Sequence, residues 1–308
     1  MTPRLIRAPE RVVHSRVYDS RVWDRWKPRA DDIVIGTYAK VGTTWTQRIV
    51  CMLVFGTAET KSLHEVSPWF ERGLGPPMDV RFRAAEAQTH RRFLKTHLPY
   101  DALPIYDGVK VIHVARDGRD AALSFHNHLF NFTQARKNEF DALSLADPKF
   151  ANRYPPTPED PADYFHQWLM SDGDGQGDAG AGFFHMENSY WAAAGNDPNV
   201  LLVNYADLKA DREGEMRRIA DFLGITIPES TWPSLVAAAG FEEMKREAKA
   251  AGGMEMAFAK GADTFFNKGT NGRWHGVFKA DDLAAYDARV KREFAPELAR
   301  WLEHGRLG

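Results

Sequence analysis

The chain has 308 residues, 44% hydrophobic and 27% charged, with a formal net charge of −2. That is ordinary for a soluble globular protein of one large α/β domain or two small ones, and it leaves no electrostatic footprint for nucleic acid. The single cysteine, Cys51, excludes an internal disulfide framework and a cysteine-based metal site.

The first residues, Met1 to Arg7, lead into no apolar h-region, so no signal peptide is expected. No run of about 18 apolar residues is present to cross a bilayer. A cytoplasmic protein with no membrane partner is the expectation. The first strand is expected over residues 32–38, where Ile33-Val34-Ile35 forms an apolar run. A helix follows over 43–55, with Cys51 as a buried, inert thiol. Further strands are expected over 92–96, 109–116 and 199–205. Further helices are expected over 117–132, 161–170, 183–194, 209–223 and 281–304. Strands alternating with helices predict an α/β fold, a central and largely parallel sheet covered by helices on both faces. No composition change marks a boundary, so residues 1–308 are read as a single domain. Two stretches break the pattern, a proline-rich one around Tyr154 to Pro158 and a glycine- and aspartate-rich one over 171–182. Both read as surface insertions that can form a lid.

Ligands of parallel sheets bind beyond the carboxyl ends of the strands. Three of the expected strands end in Lys40, in Thr96-His97 and in Arg116. The first leads through Thr37-Tyr38-Ala39-Lys40-Val41-Gly42-Thr43-Thr44-Trp45 into its helix. A strand, a short loop with a lysine and a glycine, and hydroxyl residues opening a helix form a P-loop-like phosphate site. Gly42 lets the backbone approach, the first helical N–H groups point at an anion, and Thr43 and Thr44 add hydroxyls. In the usual nucleoside-triphosphate loop the lysine follows the second glycine and precedes Ser or Thr. Here Lys40 precedes Gly42, the only glycine of the loop.

Two more segments suit an anion. Arg116 closes a strand, and Ser124 lies eight residues on, about two turns along the next helix. Near the C-terminus, Phe266-Asn267-Lys268-Gly269-Thr270-Asn271-Gly272-Arg273-Trp274 lacks periodicity, so its backbone amides can fold over an anion.

Together these segments resemble the PAPS-dependent sulfotransferases of the cytosolic type. PAPS is 3′-phosphoadenosine-5′-phosphosulfate, and PAP is the product it leaves. The first loop is similar to the family's T-Y-P-K-S-G-T-T-W, which holds the 5′-phosphosulfate. Leu94-Lys95-Thr96-His97-Leu98-Pro99 is similar to its K-T-H-L-P, and Arg116 with Ser124 to its 3′-phosphate pair. Tyr205 with Asp207 and Phe241 with Met244 match elements near the nucleotide, and 267–274 matches the family's R-K-G-x-x-G-x-W.

The resemblance implies sulfuryl transfer from PAPS to a hydroxyl or amine of a small-molecule acceptor, without a metal. His97 would be the general base, Lys40 would meet the leaving oxygen and Lys95 the sulfuryl oxygens. Ser124 would hold the 3′-phosphate and contact Lys40 before substrate binds. Cofactor contacts would come from Lys40, Val41, Gly42, Thr43, Thr44, Trp45, Arg116, Ser124, Tyr205, Phe241, Asn267, Lys268 and Gly269. The sequence departs from the pattern at Ala39, Val41, Ala239 and Asn267. The family's dimerisation element is missing after Trp274, which leaves the oligomeric state open. A P-loop kinase is the alternative, though it needs a Lys-Ser/Thr pair and a strand-end aspartate. A PAP(S)-binding protein without activity is the other.

Some signals carry less. Asp172 to Asp178 begins like a calcium loop, but its twelfth position is Phe183 rather than glutamate. His126 and His128, two apart on a helix, face different directions. Trp69, Phe70, Phe125, Phe130 and Tyr164 are candidates for an acceptor pocket or for plain core.

Overall fold

The computed structural model describes residues 2–59, 61–171 and 182–308. Among these, strands form at β1 (Leu5–Arg7), β2 (Ile33–Thr37), β3 (Phe93–Thr96), β4 (Ile105–Tyr106), β5 (Lys110–Ala115) and β6 (Val200–Asn204). β1 and β4 make a small antiparallel ribbon, and the other four form a parallel sheet in the order β3-β2-β5-β6.

Successive side chains of a strand point to opposite faces, and the core divides accordingly. Val34, Leu94 and Val111 join one cluster with Trp23, Phe165 and Phe183. Ile33, Ile35, Phe93, Ile112 and Val114 join the other, with Ile49 and Met52 of the helix Thr43–Phe55 and Met216 and Ile219 of the helix Arg212–Leu223. With every residue of β2 buried, the strand has no polar face. Each large side chain so covered contributes roughly 2 kcal/mol.

The register aligns the strand ends. Gly36 pairs with Thr96, Thr37 with Val114, and Ala115 with Asn204. The segments after β2, β3, β5 and β6 therefore leave the sheet on one edge. The chain turns one way from β2 to β3 and the other way to β5, so the crevice between β2 and β5 is the topological switch point. Gly36 makes room there. A Cβ at this position would run into the hydroxyl of Tyr190, which stacks on His113 at 4.0 Å and donates to the Leu98 carbonyl at 2.9 Å. That bond ties down the turn after His97.

The expected helix over 209–223 is two helices, Tyr205–Ala210 and Arg212–Leu223, separated at Asp211. The Asp211 carboxylate accepts from the Gly214 N–H and restarts the helix as its cap. The expected helix over 281–304 is likewise Ala280–Glu293 and Pro296–His304. Pro296 has no N–H to continue the first and suits the first turn of the second. A helix at Gln134–Ala146, capped by Thr133, was not anticipated from the sequence. The calcium-like run from Asp172 lies outside the described residues, as does most of the 171–182 insertion.

Candidate active site

The loop between β2 and the helix Thr43–Phe55 is strained where the lysine sits. Lys40 has a φ of 66° and Gly42 one of 121°. A non-glycine residue rarely takes positive φ and costs of order 1 kcal/mol or more there, the kind of strain kept at functional sites. No side chain caps the helix, and no acidic residue stands in its first turn. Its N-terminal amides and positive dipole end are thus left to an anion. Thr43 Oγ1 instead lies 2.7 Å from Thr37 Oγ1. Ala39 and Val41 are buried in the apolar cluster on one face of the sheet. Both departures from the family's loop therefore face the core, and Val41 offers an anion its N–H alone.

His97 follows β3 and is only 5% exposed. Its Nδ1 lies 2.7 Å from the Thr37 carbonyl, which can only accept. Nδ1 therefore carries the proton and Nε2 is free to take one. Burial first, then Lys95 and Lys40, holds the His97 pKa well below the ordinary value of 6.5, against the Thr37 bond, which raises it. The ring is neutral at pH 7.

The backbone around His97 is fixed from below by Glu71. This buried carboxylate accepts from His97 N at 2.8 Å, Thr96 Oγ1 at 2.9 Å, Trp23 Nε1 at 3.0 Å and Trp69 Nε1 at 2.6 Å. Burial pushes its pKa up, and the donors oppose that. The Trp69 ring stands edge-on to His97 at 4.8 Å, with Tyr18 at 6.1 Å.

Two half-buried lysines face this histidine. Lys95 Nζ sits over the Trp69 ring at 4.0 Å, and burial, then Arg72, brings its pKa down to about 7. Lys40 Nζ sits over the Phe265 ring at 4.4 Å, and burial, then Arg116, brings its pKa down to about 8. Both ammonium groups lie against aromatic faces with other cations nearby, the setting of an anion site. The expected contact between Lys40 and Ser124 is not formed. Lys40 Nζ instead lies 3.4 Å from His128 Nδ1, while Ser124 is half-buried on the helix Gly118–Phe130.

The second and third segments meet at Arg116. Its Nη2 donates to the Thr270 carbonyl at 2.7 Å and its Nε to Asn271 Oδ1 at 3.1 Å. Asp120, 3.7 Å from Arg116, accepts from the amides of Gly272 and Arg273. Lys209 Nζ donates to the Gly269 carbonyl at 2.6 Å. Gly269 has a φ of 63°, and a Cβ there would meet the Phe241 ring at 2.7 Å. Trp45 stands against Tyr205 at 5.4 Å and donates from Nε1 to the Ala239 carbonyl at 2.9 Å. Arg116 lies over the Tyr205 ring at 4.3 Å. Lys268 is exposed and Asn267 half-buried.

An uncapped helix N-terminus, two lysines with lowered pKa and an arginine beside aromatic rings fit a ligand with phosphate groups at both ends of a nucleoside. Of the five aromatic residues considered for an acceptor pocket, Trp69 is beside His97 and Lys95. Phe70, Phe125 and Tyr164 belong to the core, and Phe130 is 38% exposed. Sequence reasoning missed Tyr18, Thr37, Glu71, His128, Phe132, Phe258 and Phe265. Glu71 and Tyr18 sit in no pattern, but the pairing of His126 with His128 carried a usable signal, since two positions on a helix face apart and one can face the cleft. Among the described residues, no group of three or more His, Cys, Asp or Glu is placed to hold a metal ion.

Fold and site define an α/β protein with a cleft suited to an anion at the carboxyl edge of its parallel sheet and a buried, neutral histidine at the end of β3. The chain belongs to the sulfotransferase domain family, which it matches over residues 30–298. It is a sulfotransferase, and the kinase alternative falls. A glycolipid sulfotransferase of Mycobacterium bovis (strain BCG / Pasteur 1173P2) is 32% identical, with 97% of this chain and 96% of that one covered. Sulfotransferase 1A1 of Rattus norvegicus is 28% identical over 85% of this chain and 84% of its own. Mouse sulfotransferase SULT7A1 complexed with PAP has the same fold, with a TM-score of 0.66, 23% identity and coverage of 92% and 91%.

Proposed function

We propose that this sulfotransferase moves the sulfuryl group of PAPS to a hydroxyl of an amphiphilic small molecule, with His97 as general base. When bound, PAPS supplies an activated sulfuryl group whose leaving side is a phosphate. The chain's own residues do the rest. His97 Nε2 takes the proton of the acceptor hydroxyl. Lys40 neutralises the oxygen that leaves, and Lys95 meets the sulfuryl oxygens. Gly42, Thr43 and Thr44 hold the near phosphate. Arg116, Ser124 and the 267–269 segment hold the 3′-phosphate, and Trp45, Tyr205 and Phe241 flank the base.

The observation that carries this is the His97 tautomer. Its Nδ1 is committed to the Thr37 carbonyl at 2.7 Å, so a neutral imidazole presents a free Nε2 beside two lysines. Tyr18 and Trp69 on one side and Phe132, Phe258 and Phe265 around Lys40's end make the surroundings apolar and flat. That suits a hydroxyl on a lipid-like or ring skeleton better than a charged acceptor. The mycobacterial relatives named for glycolipids make a glycolipid the first class to test. An amine is the other nucleophile the same base can serve. The same reading takes 1–308 as one domain and places it in the cytoplasm, supported by the family match over 30–298 and the likeness to cytosolic sulfotransferases. Among the described residues, no helix is long and apolar enough to cross a membrane.

The test is a screen of radiolabelled PAPS against glycolipids, sterols, phenols and amines. Label is expected on a hydroxyl of an amphiphilic acceptor. Transfer confined to amines or to charged acceptors would overturn the acceptor assignment.

A further inference from the structure

Lys40 and His128 meet in a way that the transfer chemistry does not require. His128 lies on the helix Gly118–Phe130, two positions after His126, and the two rings part company. His126 Nε2 lies 3.0 Å from the Pro158 carbonyl and its ring stacks on Phe130. His128 turns into the cleft, among Phe132 at 5.0 Å, Phe258 at 4.9 Å and Phe265 at 6.1 Å. Lys40 Nζ lies over that same Phe265 and 3.4 Å from His128 Nδ1. An ammonium only donates, so Nδ1 is the acceptor and the ring's single proton sits on Nε2.

We propose that His128 is a positioning residue for Lys40, a neutral imidazole whose Nδ1 docks the lysine ammonium before the donor is bound. A hydrogen bond to an ammonium favours the charged form. Burial, Lys40, Lys95, Arg72 and His97, in that order, keep His128 well below its ordinary pKa and so able to accept. Arg116 presses on Lys40 from the other side. None of these facing groups is a carboxylate, so the imidazole supplies the acceptor that an acid would supply elsewhere. Ser124, expected to contact Lys40, leaves that place to His128.

The proposal rests on Lys40 serving the leaving oxygen, but its test reads the lysine itself. The donor-free protein, carbon-13 labelled at lysine Cε, is titrated by NMR, and the Lys40 signal is the one lost in Lys40→Met. The expected native titration of Lys40 is at about 8, lowered by burial and then by Arg116. His128→Phe keeps the ring's shape and removes the acceptor, and it lowers that pKa by about one pH unit, the scale of a hydrogen bond to a charged group. His128→Asn puts an oxygen near the position of Nδ1 and restores the native titration. The same titration in native and His128→Phe proteins, or one shift common to the Phe and Asn variants, would overturn the dock. Should the Phe variant not fold, nitrogen-15 histidine spectra of the native protein decide. A proton on Nε2 and a bare, hydrogen-bonded Nδ1 support the dock, and a proton on Nδ1 refutes it. If Lys40→Met still transfers sulfuryl groups, the leaving-group role fails while the dock stands. If Lys40→Met is inactive and His128→Phe leaves the titration unmoved, the dock fails while that role stands.

Discussion

Binding PAP at pH 8 should draw a proton from solution, and Lys40 should be the group that takes it. The fall of the Lys40 pKa from 10.5 to about 8 is caused first by burial and then by Arg116. It corresponds to about 3 kcal/mol of penalty for charging the lysine in a cleft without an anion. At pH 8 such a group is about half charged. A phosphate against it removes the penalty and completes its protonation, for an uptake of about half a proton. The uptake rises toward one proton at pH 9 and vanishes near pH 6.5. Phosphate monoesters have a second pKa near 6, so at pH 8 the ligand itself contributes little. The assay is isothermal titration calorimetry of PAP in buffers of different ionisation enthalpy, native against Lys40→Met. The difference between the two isolates Lys40 from Lys95. Equal uptake in both proteins, or proton release, would refute the reasoning. So would a PAP affinity that does not weaken as pH rises above about 8.

Glu71→Gln replaces an acceptor of four donors by a group that must itself donate. Its expected cost is about 1–3 kcal/mol in urea unfolding, with a larger fractional loss in turnover than in PAP affinity because the His97 turn loosens. Gly269→Ala should weaken PAP about tenfold by calorimetry, since its Cβ would press into Phe241 at a φ of 63° and lift the closing segment. The pH profile of kcat/KM should stay flat through pH 6.5 on the acid side, because the His97 pKa lies well below 6.5. Its alkaline fall should begin between about 7 and 8, where Lys95 and Lys40 lose their protons. An acid limb at or above pH 6.5 would contradict the buried, neutral His97.

The sheet was legible because its strands are short apolar runs bounded by polar segments. The helices Thr43–Phe55 and Phe183–Ala194 begin and end where their periodicity does. Broken helices were less so, since the breaks are short, Asp211 in one and Phe294-Ala295 ahead of Pro296 in the other, inside otherwise continuous periodic patterns. The site divides the same way. Lys40, Lys95, His97 and Arg116 sit at strand ends, where local pattern and chemistry coincide. Glu71, Tyr18 and Phe265 reach the cleft from irregular or remote segments, and only tertiary packing brings them there. Lys40's partner shows the limit of resemblance. Ser124 holds the family's position, but the side chain that reaches the lysine is one turn further along the helix, His128.

The most direct test is transfer of radiolabelled sulfate from PAPS to a hydroxyl acceptor by the native protein and by His97→Ala, with PAP affinity and unfolding measured alongside. A positioned base is worth at least about a hundredfold. The expected result is a loss of that size in turnover with PAP binding and fold intact. Native turnover in a folded His97→Ala protein would contradict the assignment of His97 as the base.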